Sequence, residues 1–169
     1  MFGTFKAYLK RRWSKVRGVF PILWKNYLYQ SFFATVVIFI ILLLLDRENA
    51  VVIASIGSSA FIIFTMPRNI TARPRRLIGG HMVGLMSGSL CAIIPHTAAL
   101  ASISVYALAV GIFIFLMVAL DFEHPPASGT SLGVAMTGFS VSVMLAVITS
   151  ILVLSLAHRF SRRFLKDLT

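Results

Sequence analysis

The sequence predicts an all-α membrane protein of about five transmembrane or re-entrant helices, with a candidate inverted repeat and an N-terminal amphipathic surface helix. Three observations predict it. Of 169 residues, 58% are hydrophobic and only 12% are charged, against about 25% charged in a soluble domain. Five long apolar runs contain no Lys, Arg, Asp or Glu. The 16 Lys and Arg, against 5 Asp and Glu, stand outside those runs, where a membrane protein places them. The net charge of +11 therefore reads as topology, and no nucleic-acid partner is expected. The lone cysteine, Cys91, leaves no internal disulfide framework and no zinc cluster.

Each element follows from its residues. Residues 1–25 lack the contiguous apolar core and small-residue cleavage site of a signal peptide. Phe2, Phe5, Leu9, Trp13, Val16 and Phe20 recur at steps of three and four among Lys6, Lys10, Arg11, Arg12, Lys15 and Arg17. That pattern predicts a basic helix lying on an anionic membrane surface. Residues 26–158 form the membrane domain and 159–169 a basic tail. A crossing needs about 20 apolar residues, and the candidates are 27–45, 50–66, 77–94, 98–120 and 131–157. The last is longer than one crossing needs; either Gly138 and Ser140 divide it or it tilts. The N-terminal arm and the loop 67–76, with Arg68, Arg73, Arg75 and Arg76, both ask for the inner side. With five crossings the basic tail falls on the other side, and its placement stays open. A multi-pass protein of the bacterial plasma membrane is the expected setting.

Self-comparison finds a weak repeat. Residues 38–49, ending Asp46-Arg47-Glu48-Asn49, resemble residues 113–124, ending Asp121-Phe122-Glu123-His124, and Ala54-Ser55-Ile56-Gly57 resembles Thr130-Ser131-Leu132-Gly133. One helix lies between the copies, so they would run in opposite senses, the arrangement of many transporters. Gly80, Gly84 and Gly88 recur every four residues on the third helix, which predicts a close helix contact. The same helix in a second subunit is one candidate partner, and a homo-oligomer, a dimer first, is expected.

The stretch Asp121-Phe122-Glu123-His124-Pro125-Pro126-Ala127-Ser128-Gly129-Thr130 carries the chemistry. Two prolines in succession end the fourth helix and push His124 out of the α region. A new helix then starts near Ser128–Thr130, and its first amides are expected to be free and aimed at an enclosed wet pocket. Free amides at a positive dipole end suit an anion. Ser55-Ile56-Gly57-Ser58-Ser59 offers a second such start, with Ser55, Gly57 and Ser58 as its candidate binding residues. His81 is an ionisable group inside a span, which by default faces protein or a water path. Asp121 and Glu123 either orient His124 or bind an Arg. A metal at Asp121, Glu123 and His124 is not expected, since three sequence neighbours rarely converge on one centre.

The tripeptide His124-Pro125-Pro126 resembles the signature of the HPP family of integral membrane proteins. Two further segments support the resemblance: Arg73-Pro74-Arg75-Arg76-Leu77-Ile78-Gly79-Gly80-His81 is similar to the family's Pro-Arg-Asn-x-Ile-Gly-Gly-His segment, and residues 55–61 to its glycine-rich segment. Arg76 stands where the family often has Asn, and Ala127-Ser128-Gly129-Thr130 where it has Ala-Gly-Ala-Thr. The resemblance covers about residues 30–157 and implies a compact helical membrane protein. Plastid and cyanobacterial relatives are associated with nitrite transport, and most bacterial members have no assigned role.

The expectation is a transporter or channel for a small inorganic anion, nitrite by resemblance. Binding falls to His124, Pro125, Pro126, Ser128, Gly129, Thr130, Ser55, Gly57, Ser58 and His81, with Arg75, helped by Arg76, drawing the ion to the mouth. The alternative is a non-transporting module that binds a partner or lipid. No cofactor is expected, and no enzyme, because no nucleophile, phosphate-loop or metalloprotease motif is present.

Overall fold

A computed structural model describes residues 2–44 and 50–168. Among them are six α-helices and no strand: α1 (Phe2–Leu44), α2 (Ala50–Thr65), α3 (Pro74–Ala92), α4 (Ala99–Ala119), α5 (Ser128–Thr137) and α6 (Val141–Ser161), with short 3-10 turns at Ile70–Ala72 and Pro125–Ala127. The protein is all-α. Three helical stretches are long and apolar enough to cross a membrane, Arg17–Leu43, Ala99–Ala119 and Val141–Ser161, and Val51–Thr65 is a shorter apolar helix.

The basic N-terminal arm is continuous with the first apolar run in one helix that passes through Pro21. At 43 residues it is about 64 Å long, roughly twice the hydrocarbon thickness. Lys6, Lys10 and Arg17 are exposed. The side chains of Phe2, Phe5, Leu9, Trp13 and Val16, which carry the amphipathic expectation, lie outside those described, as does Asp46–Asn49 of the first repeat copy.

The long fifth apolar run is two helices. Gly138, at φ 82°, takes a left-handed turn that a residue with a Cβ rarely adopts and so ends α5. Ser140 then caps α6, its hydroxyl accepting from the Val143 amide at 3.2 Å. This division settles the side of the tail. His158 Nε2 donates to the Pro67 carbonyl at 2.9 Å, the Leu168 amide to the Thr65 carbonyl at 2.8 Å, and the Arg68 amide to Asp167 at 3.1 Å. Gln30 of α1 joins in, donating to the Phe64 and Lys166 carbonyls and accepting from the Lys166 amide. The basic tail and the basic loop after α2 therefore share one end of the bundle, as the positive-inside rule asks.

The helix packing is matched across the two halves α1–α2–α3 and α4–α5–α6. The pairs α1·α2, α1·α6 and α2·α6 correspond to α4·α5, α4·α3 and α5·α3, while α2·α5 and α3·α6 each map onto themselves. α2 runs antiparallel to α5: Ser59 meets His124, Ser55 meets Gly129, and Val52 meets Gly133. Three helices per half, rather than two, make the inverted unit. One core, built from Val37, Ile41, Val52, Ile56, Ile63, Phe64, Val147, Ile151 and Leu154, joins α1, α2 and α6. Smaller clusters, Val83 with Phe113 and Met117 and Cys91 with Val105 and Ala109, tie α3 to α4.

The glycine face of α3 is filled from within the chain. An added Cβ at Gly80 would lie 2.7 Å from the His124 Cβ, and one at Gly84 would lie 2.7 Å from the Ala127 carbonyl oxygen. Gly88 stands equally close to Ser131. The partner is the His-Pro-Pro turn and α5, so the face is not open to a second subunit.

Candidate functional site

The end of α4 aims the site. The Phe122 amide donates to the Met117 carbonyl and the Asp121 amide to that of Val118, a Schellman closure with Asp121 at φ 56° in the left-handed position. Asp tolerates that conformation better than most residues. The closure turns Asp121 and Glu123 back onto Arg76. One guanidinium nitrogen contacts Asp121 Oδ1 and the other Glu123 Oε2 at 2.6 Å. Arg76 is buried and the two carboxylates are about half exposed. Both acids therefore hold Arg76 rather than orient His124, and Arg76 is not free at the mouth. Arg75 is exposed and lies over the Phe122 ring, 5.4 Å from its centroid.

Past Glu123 the chain dives. His124 packs beside Gly80, about 6 Å deeper along α3 than Arg76, because glycine leaves room for its Cβ. The helix-start amides differ from the expectation. Pro125 and Pro126 have no N–H; the Ala127 amide donates to the His124 carbonyl and the Ser128 amide to those of Pro125 and Pro126. The prolines stand where orphan donors would be, so the first donors of the new helix are paired and the expected anion cradle of free amides is not formed there.

What the break assembles instead is a chain of side chains. Ser55 Oγ donates to the Pro126 carbonyl at 2.6 Å and lies 3.0 Å from Thr130 Oγ1. Thr130 Oγ1 lies 2.8 Å from His81 Nδ1. His81 Nε2 and His124 Nε2 each lie 2.9 Å from the same Ser59 Oγ. His124 Nδ1 donates to the Thr71 carbonyl at 2.9 Å. The imidazole centroids are 5.3 Å apart. Ser59, His81, His124 and Thr130 are all 0% exposed. The chain crosses from α2 to α3, to α5 and back, at the centre of the two halves.

Of the residues named from sequence, His124, His81, Ser55 and Thr130 meet in this chain, Pro126 through its carbonyl. Gly129 lies against Ser55, where an added Cβ would come within 2.9 Å of the Ser55 Cβ. Pro125 is exposed, and Ser128 donates to its carbonyl. Gly57 and Ser58 lie on the opposite, exposed side of α2, Ser58 bonding back to Ala54. Ser59 closes the Ser55–Ser59 helix start but was not among the candidate binding residues, although Ser55 and Ser59 are one helical turn apart and so share a face; neither was Thr71.

The family model described as HPP, transmembrane region, matches residues 20–166. A transmembrane protein of Dictyostelium discoideum is 38% identical over 89 residues, covering 52% of this chain and 31% of the relative. A second transmembrane protein of Dictyostelium discoideum is 33% identical over 88 residues, covering 52% of this chain and 28% of the relative. The chain thus spans under a third of the length of these curated relatives. No solved structure matches. The inward His-Pro-Pro turn and the glycine face that receives it accord with the family match, and the chain belongs to the HPP transmembrane family.

Proposed function

We propose that the protein is a membrane transporter for a small monovalent inorganic anion, set in the bacterial plasma membrane with its basic end inward. The observation that carries this reading is the pair of fully buried histidines joined through one serine hydroxyl at a helix break between inverted halves. Ionisable groups in a membrane interior are costly, and they mark ion and proton paths more often than scaffolding. Hydroxyls of Ser55, Ser59 and Thr130 and the imidazole N–H groups are the donors an anion needs. As it stands the cluster is closed, its polar atoms bonded within the chain. Entry requires α2 to part from α5, with links to the ion replacing links between side chains. Arg73 and Arg75, exposed at the basic end, draw the ion there.

Nitrite is the cargo to test first, by the family resemblance. Proteoliposomes bearing the protein are expected to take up nitrite faster at acid pH, and His81→Ala with His124→Ala is expected to lower the rate roughly tenfold or more. Equal uptake by the double variant removes the histidines from the mechanism. A second reading is a non-transporting module, favoured by the fact that the cluster's polar atoms already have partners. In that case the protein binds a partner or lipid, and no anion uptake appears above that of empty vesicles.

A further inference from the structure

The side-chain chain at the break has a hydrogen deficit. Its two ends are carbonyl oxygens, of Pro126 and Thr71, which only accept. Between them stand Ser55, Thr130, His81, Ser59 and His124, and each of these five, when neutral, brings one hydrogen to donate. The chain has six contacts, all 3.0 Å or shorter. Five hydrogens cannot fill six contacts. With neutral rings, one inner contact sets lone pair against lone pair in a dehydrated site. A branch from Ser59 Oγ to the Ser55 carbonyl at 3.1 Å competes for the same hydrogen and widens the deficit.

We propose that this chain is a binding site for one excess proton, shared between His81 and His124 through the Ser59 hydroxyl. With one added proton every contact in the chain is filled, and only two arrangements do so. In both, Ser55 donates to the Pro126 carbonyl, Thr130 to Ser55, His81 Nδ1 to Thr130 and His124 Nδ1 to the Thr71 carbonyl. In one arrangement His81 is the imidazolium and the Ser59 hydroxyl donates to His124. In the other His124 is the imidazolium and the hydroxyl donates to His81. They interconvert when His124 Nε2–H passes its proton to Ser59 Oγ and Ser59 passes its own to His81 Nε2. One bond to hydrogen breaks and one forms at each step, and the net charge stays at one.

Removal from water opposes a buried charge; sharing between two rings and the nearest acids work against that cost, and the arginines at the same end add to it. The charge is spread over two rings. The neighbouring cluster of Arg76, Asp121 and Glu123 carries two acids and one base, leaving one net negative charge beside His124. The other charged groups near the site are Arg68, Arg73 and Arg75, all exposed. The segments of α2, α4 and α5 packed on the chain carry no charge, and on α6 His158 is committed to the Pro67 carbonyl. The Thr71 end is the one nearest the basic surface, so a proton enters through His124.

This deepens the proton-handling part of the proposed function but is decided without any cargo. The full chain, with ¹⁵N-labelled histidine, is placed in lipid nanodiscs and titrated by NMR between about pH 4 and 8. His81→Gln and His124→Gln assign the ring signals. The expected result is a single midpoint shared by both rings, each reaching about half of the imidazolium shift. In Ser59→Ala the sharing is lost, and one ring alone takes the full shift. Helical circular dichroism and the His158 signal report that each sample stays folded. Two rings each reaching full shift at separate midpoints in the unaltered protein would overturn the proposal. So would rings that stay neutral across the range, or a Ser59→Ala profile identical to the unaltered one. Uptake can fail with the shared titration intact, and the reverse, so the two readings fall separately.

Discussion

α3 against α5 and α6 against α2 are equivalent interfaces between the two inverted halves, yet they are built from different materials. The first interface is backbone on backbone: Gly80, Gly84 and Gly88 admit the His-Pro-Pro turn and α5 at distances no side chain allows, and buried Ser87 bonds Ser131 at 2.9 Å. The second is filled by Val52, Ile56, Val147, Ile151 and Leu154. The difference teaches that the architecture is shared while the chemistry is not. One interface supplies the close approach that buries two histidines, and the other supplies bulk. Packing in lipid rests on such close contact, because apolar side chains gain little over lipid tails.

Substitutions that move one interface toward the other break or sharpen the contrast. The largest effect is expected at Gly84→Leu. Even its Cβ would meet the Ala127 carbonyl oxygen, and overpacking of this kind costs about 3 kcal/mol, read as loss of the folded fraction in detergent thermal unfolding. In the apolar interface, Ile151→Val should cost only about 1 kcal/mol and leave transport untouched. If the two variants were equally destabilised, the contrast would be lost. The smallest effect is expected from Arg76→Gln. Its loss leaves Asp121 and Glu123 half exposed and able to rehydrate, so after discounting for solvent the cost is about 0.5–1 kcal/mol. It should shrink further at high salt, which unfolding at two ionic strengths measures.

Much of the fold was legible because its causes are local. Apolar run lengths give the helices, Pro125 and Pro126 give the break, and Gly138 with Ser140 marks the division that puts the tail beside the basic loop. The partner of the glycine face was not legible. Periodicity gives the face of α3, but whether α5 or another subunit fills it depends on how helices distant in sequence are rotated. The same limit hid Ser59. It lies within the Ser/Gly-rich segment 55–61 but gains its place only when α3 and the His-Pro-Pro turn converge on one face of α2. The free-amide expectation failed for a local reason: the Pro-Pro-Ala turn precedes the helix, so the Ser128 amide read as an orphan donor finds the carbonyls of Pro125 and Pro126. Arg76 read as a mouth residue because the Schellman turn that brings Asp121 and Glu123 to it is set by a backbone closure, not by composition.

The central claim is that ions pass by parting α2 from α5 at the histidine chain. Ser55→Cys with Thr130→Cys, in a Cys91→Ala background, places two thiols where the hydroxyls now stand 3.0 Å apart. Nitrite uptake into proteoliposomes is then measured oxidised and again after reduction. The account predicts uptake slower than that of the unaltered protein, since two donor hydroxyls are lost, that stops when the pair is oxidised and returns to the slowed rate when it is reduced. Uptake at the same rate in both states, with the crosslink verified, would contradict it.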